Sequence, residues 1–307
     1  MKKNTLALSA FIVIALSASA LCVHAQEKDD PAWILFEKGK LAYQKRDYGV
    51  AMKLFQESVQ KSALFPEAEV AIGDVYYLEG EFTLAEMQYQ KAYRVRNAFY
   101  IPEDKYALLW KLASLHESQE KYSAMEEDLL SILADDEYFS DPKWTQLRAQ
   151  IEDNFYKKGL DHVLKLYQFE SYFAIQAHAK LGWFYYRTGR VSNSIQHSLF
   201  ALIAMKSELM ETLRSRDSDF EFESLAGIFR IERGSAEITE YLLTNNAFGC
   251  LYYLAGSVWS TSYAGRAMEI WKLLSETGQA GNFSNLSKKQ LKKPWIEPRL
   301  EVIPKKS

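Results

Sequence analysis

Cysteine is almost absent from this chain: Cys22 and Cys250 are the only two among 307 residues. Cys22 falls in an apolar leader and Cys250 is then alone, so a domain without the leader has no internal disulfide and must hold together by packing. Proline is missing from the whole stretch between Pro142 and Pro294, which leaves that stretch free to run in helices. An excess of positive charge is lacking too, with 37 basic against 40 acidic residues, which excludes the footprint of a general nucleic-acid binder. The five histidines form no H-E-x-x-H or other metal-ligand spacing, and neither a phosphate-cradling glycine loop nor a G-x-S-x-G elbow occurs. No catalytic residue, metal or cofactor is therefore implied, and the chain reads as a non-enzyme. After the first 25 residues no apolar run is long enough to cross a bilayer.

What is present begins with a targeting pattern. Lys2 and Lys3 precede an apolar stretch from Leu6 to Val23, and Val23-His24-Ala25 has the small-x-small form of a signal peptidase site. Cleavage after Ala25 is expected, which places the protein across the inner membrane, in the periplasm of a bacterium. The remainder then has 35 basic and 40 acidic residues and a net charge of −5. Lipidation at Cys22 is one alternative, against which stands Leu21 where a lipoprotein signal calls for a small residue; an uncleaved anchor is the other, for which the apolar run is at the short end of a membrane span.

Helical periodicity runs from Ala32 to about Glu276, with no convincing β alternation. Pro31, Pro66, Pro102 and Pro142 punctuate it at spacings of 35, 36 and 40. An internal repeat accompanies them. Gly39, Tyr48, Ala51, Phe55 and Ser58 recur 34 residues later as Gly73, Phe82, Ala85, Tyr89 and Ala92. The same internal spacing returns as Ala113, Tyr122, Met125, Leu129 and Ile132, as Gly182, Val191, Ser194, Ser198 and Ala201, and as Ala255, Ala264, Ala267, Trp271 and Leu274.

The second copy, with Ile72-Gly73, Tyr76, Gly80, Phe82, Ala85, Tyr89 and Ala92, resembles the tetratricopeptide repeat family. The resemblance is strong over residues 32–98 and weaker beyond. It implies an all-α fold, a right-handed solenoid of stacked antiparallel helix pairs. The expected organisation is a signal peptide over 1–25, repeats over 26–140, degenerate helical repeats over 141–280 and a basic, proline-containing tail over 281–307. The stretches near 142–170 and 219–245 fit the repeat poorly, with turns expected at Gly159 and Gly234.

In this family the first helix of each pair lines the concave side. The matching positions here carry Phe36, Tyr43, Tyr77, Trp110, Trp183, Tyr186, Tyr252 and Trp259, an aromatic set suited to a binding groove. The same rings could instead be buried against neighbouring helices or the tail. The leading expectation is an exported scaffold that binds a protein or peptide partner. One alternative is a transporter-accessory protein holding a small apolar ligand. The other is an envelope-glycan lytic enzyme using Glu223, which precedes Ser224 as in soluble lytic transglycosylases. The tail lysines, Lys288, Lys289, Lys292, Lys293, Lys305 and Lys306, read as a loosely ordered solvated arm, with peripheral membrane association as the sharper reading. Trp295 and Ile296 hint that part of it docks back. Cys250 and His116 are expected to be buried and inert.

Overall fold

The computed structural model describes residues 30–302. The expected signal peptide and the last two tail lysines lie outside the described residues. Within them the protein is all-helical: sixteen α-helices, three short 3-10 turns and no strand. None of these helices is long and apolar enough to cross a membrane. The chain forms two compact units that divide between Lys105 and Tyr106, where the sequence reading placed its division near residue 140.

The N-terminal unit is two helical hairpins, α1 (Ala32–Gln44) with α2 (Tyr48–Lys61) and α3 (Pro66–Leu78) with α4 (Phe82–Arg94). α2 also packs on α3, so the hairpins are stacked in chain order. One close approach fixes each pair. A Cβ on Gly39 would lie 2.5 Å from the Phe55 ring, and one on Gly73 would lie 2.5 Å from the Tyr89 ring. The glycine lets the ring of the residue sixteen positions later lie flat against the backbone of the first helix. Ala51 and Ala85 are wholly buried at the second close approach, where a larger side chain would push the helices apart.

The repeat keeps its phase through all five copies. Tyr48, Phe82, Tyr122, Val191 and Ala264 are each the first residue of a helix, and their partners Gly39, Gly73, Ala113, Gly182 and Ala255 each sit in the helix before. The turn recurs too. Arg46, Gly80, Glu120 and Gly189, each seven residues after the first member, all adopt positive φ. The following amide then donates back to a carbonyl five residues earlier: Asp47 to Ala42, Glu81 to Tyr76, Lys121 to His116, and Arg190 to Tyr185. That is a left-handed helix terminus, which satisfies otherwise orphaned carbonyls and aims the chain into the next helix. The fifth hairpin closes differently, through Ser260 and Thr261 amides bonded three residues back.

In the C-terminal unit, α5 (Asp104–Ser118, whose first two residues precede the boundary) and α6 (Tyr122–Leu133) form the third copy. A short α7 (Glu137–Ser140), then α8 (Thr145–Lys158) and α9 (Leu160–Leu166), are inserted before the fourth, α10 (Ile175–Thr188) with α11 (Val191–Arg216). Next come α12 (Leu225–Glu232) and α13 (Ala236–Thr244), then the fifth copy, α14 (Ala247–Trp259) with α15 (Ala264–Glu276), and finally α16 (Asn282–Lys292). Turns fall at Gly159 and beside Gly234 as expected, but residues 217–224 are an extended connection rather than helix.

α11 is the centre of this unit. Residues 197–207 are all buried, as befits a helix surrounded on every side, and α8, α9, α10 and α14 all pack against it. Several of its polar members are bonded inward: Ser194 donates to the Gly182 carbonyl at 2.7 Å and accepts from Ser257 at 2.7 Å, and Ser207 donates to the Ile203 carbonyl at 2.9 Å, whereas the buried Ser198 hydroxyl has no partner. The Ser194 bonds explain serine at a position where the repeat asks only for something small. Cys250 is buried, its thiol pushed up to about 12 by loss of solvent, which leaves it inert as a nucleophile.

Two substitutions test this geometry with opposite signs. Gly73→Ala is expected to cost roughly 1–3 kcal/mol by driving Tyr89 from its seat. Glu120→Gly is expected to stabilise by about 0.5–1 kcal/mol, because the left-handed penalty removed exceeds the chain entropy glycine adds; Glu120 is exposed, so no packing is lost. Urea denaturation midpoints read both.

Candidate functional site

In the N-terminal unit the expected binding residues lie along α1 and α3. The Phe36 ring packs on Phe55 at 5.7 Å and Phe65 at 5.0 Å, with the Lys40 ammonium 5.1 Å above it. Tyr43 sits edge-on to Tyr48 and Tyr77 lies against Phe82, both at 5.5 Å. Between them Asp74 accepts a 2.7 Å hydrogen bond from the buried Tyr89 hydroxyl. The phenol of Tyr89 is pushed far up by burial and then by the Asp74 carboxylate, and Tyr43 is raised by the same two causes in the same order. Phe36 and Tyr43 are half-buried and Tyr77 is 41% exposed. The result is an aromatic surface with a carboxylate set into it, reachable from solvent.

In the C-terminal unit the same positions fare differently. Trp110 is half-buried, as is Trp183, which carries the Lys180 ammonium 4.3 Å above its ring. Lys180 is also paired at 2.5 Å with Glu117. Trp259 is half-buried against Trp271, 5.7 Å away. Tyr186 and Tyr252 are buried, at 5% and 1% exposure, which corrects the expectation that both line an open groove. The cause is the tail. α16 packs on α15 and α14, and the chain beyond it runs back over α10. The expectation of a loosely ordered solvated arm over 281–302 is corrected for the same reason.

The residues that hold the tail were not legible as site residues. Gln290, fully buried on α16, donates to the Tyr252 hydroxyl at 3.1 Å and to the Trp295 carbonyl at 3.0 Å, and accepts from the Trp295 amide at 2.8 Å. The Glu297 amide donates to the Tyr186 hydroxyl at 3.1 Å. Arg187 donates from Nε to the Pro298 carbonyl at 3.1 Å, and its own carbonyl accepts from the Leu300 amide at 2.8 Å. Burial pushes the Tyr186 phenol up to about 12. The signal available for α16 was helical spacing of Phe283, Leu286 and Gln290; nothing local marks Arg187.

A second polar cluster is wholly interior. Asp136 on the rim of α7 meets His178 Nε2 of α10 at 3.0 Å, and His178 Nδ1 meets His197 Nδ1 of α11 at 3.0 Å. All three are buried, at 6%, 2% and 1% exposure. Burial first, then His178, Arg148 and Arg190, hold His197 well below the usual histidine range, so its ring is neutral. This relay ties the insertion to α10 and the central helix. Similarly, His116 is buried and paired with Asp128 at 2.6 Å.

Two concavities bear on the other expectations. An open groove of about 610 Å³ is lined by Asp217, Asp219, Phe220, Glu221, Glu223 and Arg230, among others. Glu223 is exposed there and lies off any helix, before Ser224, which caps α12 by accepting from the Gly227 amide. A glycosidic general acid needs an apolar enclosure to keep its proton, and Glu223 has none. An apolar cavity lined by Leu202, Met205, Leu209, Phe222 and Phe229 measures about 20 Å³, room for about one water. Among the described residues no group of His, Cys, Asp and Glu is arranged to hold a metal ion.

Sequence comparisons add relatives but no activity. No protein-family model matches the chain. It is 24% identical over 235 residues to an uncharacterized protein of Treponema pallidum (strain Nichols), a match covering 74% of this chain and 63% of that protein. It is 24% identical over 296 residues to an uncharacterized protein of Borreliella burgdorferi, covering 85% of this chain and 89% of the relative. The chain thus spans a little under two thirds of the first relative and most of the second.

The interior relay predicts a pH dependence. His197 is neutral in the fold, so the unfolded chain binds its proton more readily; the stability this contributes is present above about pH 6.5 and is lost as the pH falls below it. Urea midpoints are expected to drop between pH 7.5 and pH 5, and the slope to flatten in His197→Asn.

Proposed function

We propose that this protein is an exported, periplasmic interaction scaffold of the tetratricopeptide type. Its helix pairs continue as a right-handed solenoid, and it captures a protein or extended peptide on the aromatic face of the first helices. The observation that carries this reading is the solvent-reachable surface of Phe36, Tyr43, Asp74 and Tyr77. Rings there supply contact area at little entropy cost, and the carboxylate supplies a directional acceptor. The five hairpins that share one internal spacing support the solenoid, a fold whose stacked units bury apolar faces that a single hairpin leaves open. The charge balance favours no nucleic-acid partner, and neither a cofactor nor catalysis is part of the proposal.

A ligand-holding accessory to a transporter would need the apolar cavity of the C-terminal unit to open well beyond its 20 Å³. An envelope-glycan hydrolase would need Glu223 enclosed. The scaffold asks for no rearrangement, since Tyr77 already faces solvent.

Crosslinking in the native cell envelope, followed by partner identification, tests this directly. Tyr77→Ala is expected to lower partner capture at least tenfold while helicity and the melting temperature stay within error of the parent. Tyr186, covered by the tail, is not a suitable probe of this face. Unchanged capture in Tyr77→Ala, or a sharp fall in melting temperature, would remove the proposed site.

A further inference from the structure

The segment that follows α16 is held the way a bound peptide is held. Residues 294–300 have no regular secondary structure, and contacts to them fall largely on their backbone: the amides of Trp295, Glu297 and Leu300 and the carbonyls of Trp295 and Pro298 are all bonded to α10 or α16. Leu300 satisfies a carbonyl in the last turn of α10, which has no partner within its own helix. Two side chains add direction. The Glu297 carboxylate lies 3.7 Å from the Arg187 guanidinium, and the Arg299 guanidinium lies over Gly189, where a Cβ would approach it to 2.8 Å. Pro294 and Pro298 restrict the segment to extended shapes, which lowers the entropy lost on docking.

The segment is attached but not embedded. Ser284, Ser287 and Gln290 anchor α16 as buried residues, whereas no residue from Leu291 to Val302 is buried. The surface beneath is packed by residues outside the segment: Tyr186 lies 5.5 Å from the Tyr253 ring and Tyr252 lies 5.4 Å from Tyr253 and 5.5 Å from Phe283, and Gln290 presents a donor and an acceptor to one residue of the passing backbone. A structured platform covered by a strap with few apolar contacts is a region of low local stability over a preformed site.

We propose that Tyr186, Arg187, Tyr252 and Gln290 form a receptor for an extended protein segment, and that residues 294–300 are its built-in, displaceable occupant. The partner segment that displaces it carries the same chemistry: a tryptophan, an acid two residues later, and a proline on either side of that pair. Arg187 reads the acid, Gln290 reads the backbone at the tryptophan, and Tyr186 reads the backbone at the acid. The inference stands on the contacts of the tail and is independent of partner capture at Tyr77.

The test uses the full chain and a fluorescent peptide of sequence KPWIEPRLEV, residues 293–302. In fluorescence polarisation the peptide is expected to bind the Trp295→Ala/Glu297→Lys variant, whose own strap is weakened, at least tenfold more tightly than the parent. Adding Arg187→Ala to that variant should reverse the gain. Hydrogen exchange on the parent protein gives a second reading that needs no variant: the amides of Trp295, Glu297 and Leu300 should exchange at least tenfold faster than those in the middle of α16. A folded variant that binds the peptide no better than the parent, or strap amides as protected as those of α16, would make the segment a permanent part of the fold and overturn the proposal.

Discussion

The contact between a glycine on one helix and the side chain sixteen residues later on the next sets the geometry of the first, second and fourth repeat hairpins. At Gly39 and Gly73 the backbone comes within van der Waals reach of an aromatic ring, and at Gly182 it meets Ser198. Close approach fixes the separation of the two helices, and the left-handed residue in the turn fixes their relative rotation. Once both are fixed, the outward positions of the first helix are determined as well. Tyr43 and Tyr77 occupy the same place in successive hairpins for this reason, and Asp74 falls between them beside Tyr89.

Where the contact is altered, the surrounding structure changes with it. The fourth copy replaces a ring by Ser198, and the backbone of the second helix itself comes close to Gly182, where a Cβ would lie 3.3 Å from the Ser198 nitrogen. The Ser257 hydroxyl donates to Ser194, which in turn donates to the Gly182 backbone carbonyl, as groups removed from water require. α11 extends far beyond the length of a repeat helix and takes the inserted helices on its flanks. The Asp136–His178–His197 relay fastens that insertion to the hairpin; three polar residues so deep in the unit are tolerable because each ring nitrogen facing the relay has a partner.

The aromatic positions acquire different roles in the two units although the pattern that places them is the same. On the N-terminal unit Tyr77 meets solvent with the carboxylate of Asp74 beside it. On the C-terminal unit Tyr186 and Tyr252 meet α16 and the strap that follows. The rings were suited to either fate, since a tyrosine presents an apolar body to packing and a hydroxyl to a partner. What differs is the occupant, and in the C-terminal unit that occupant is a chain segment bound through its backbone.

The periodicity of small and large residues was enough to determine the helical class and to mark the five helix pairs, because these depend on contacts within about twenty residues. It also carried Tyr43 and Tyr77 to the first helices' outer positions. It did not reveal that residues 197–207 lie at the centre of a unit, since burial on every side of a helix comes from neighbours distant in the chain. Nor did it show that Arg187 and Gln290 hold a strap, or that Asp136 meets His178. Those pairings join residues separated by long stretches of sequence, and no local pattern encodes them. Whether an aromatic position is a binding surface or a packing surface was decided by what folds over it, and that is settled only when the whole chain has packed.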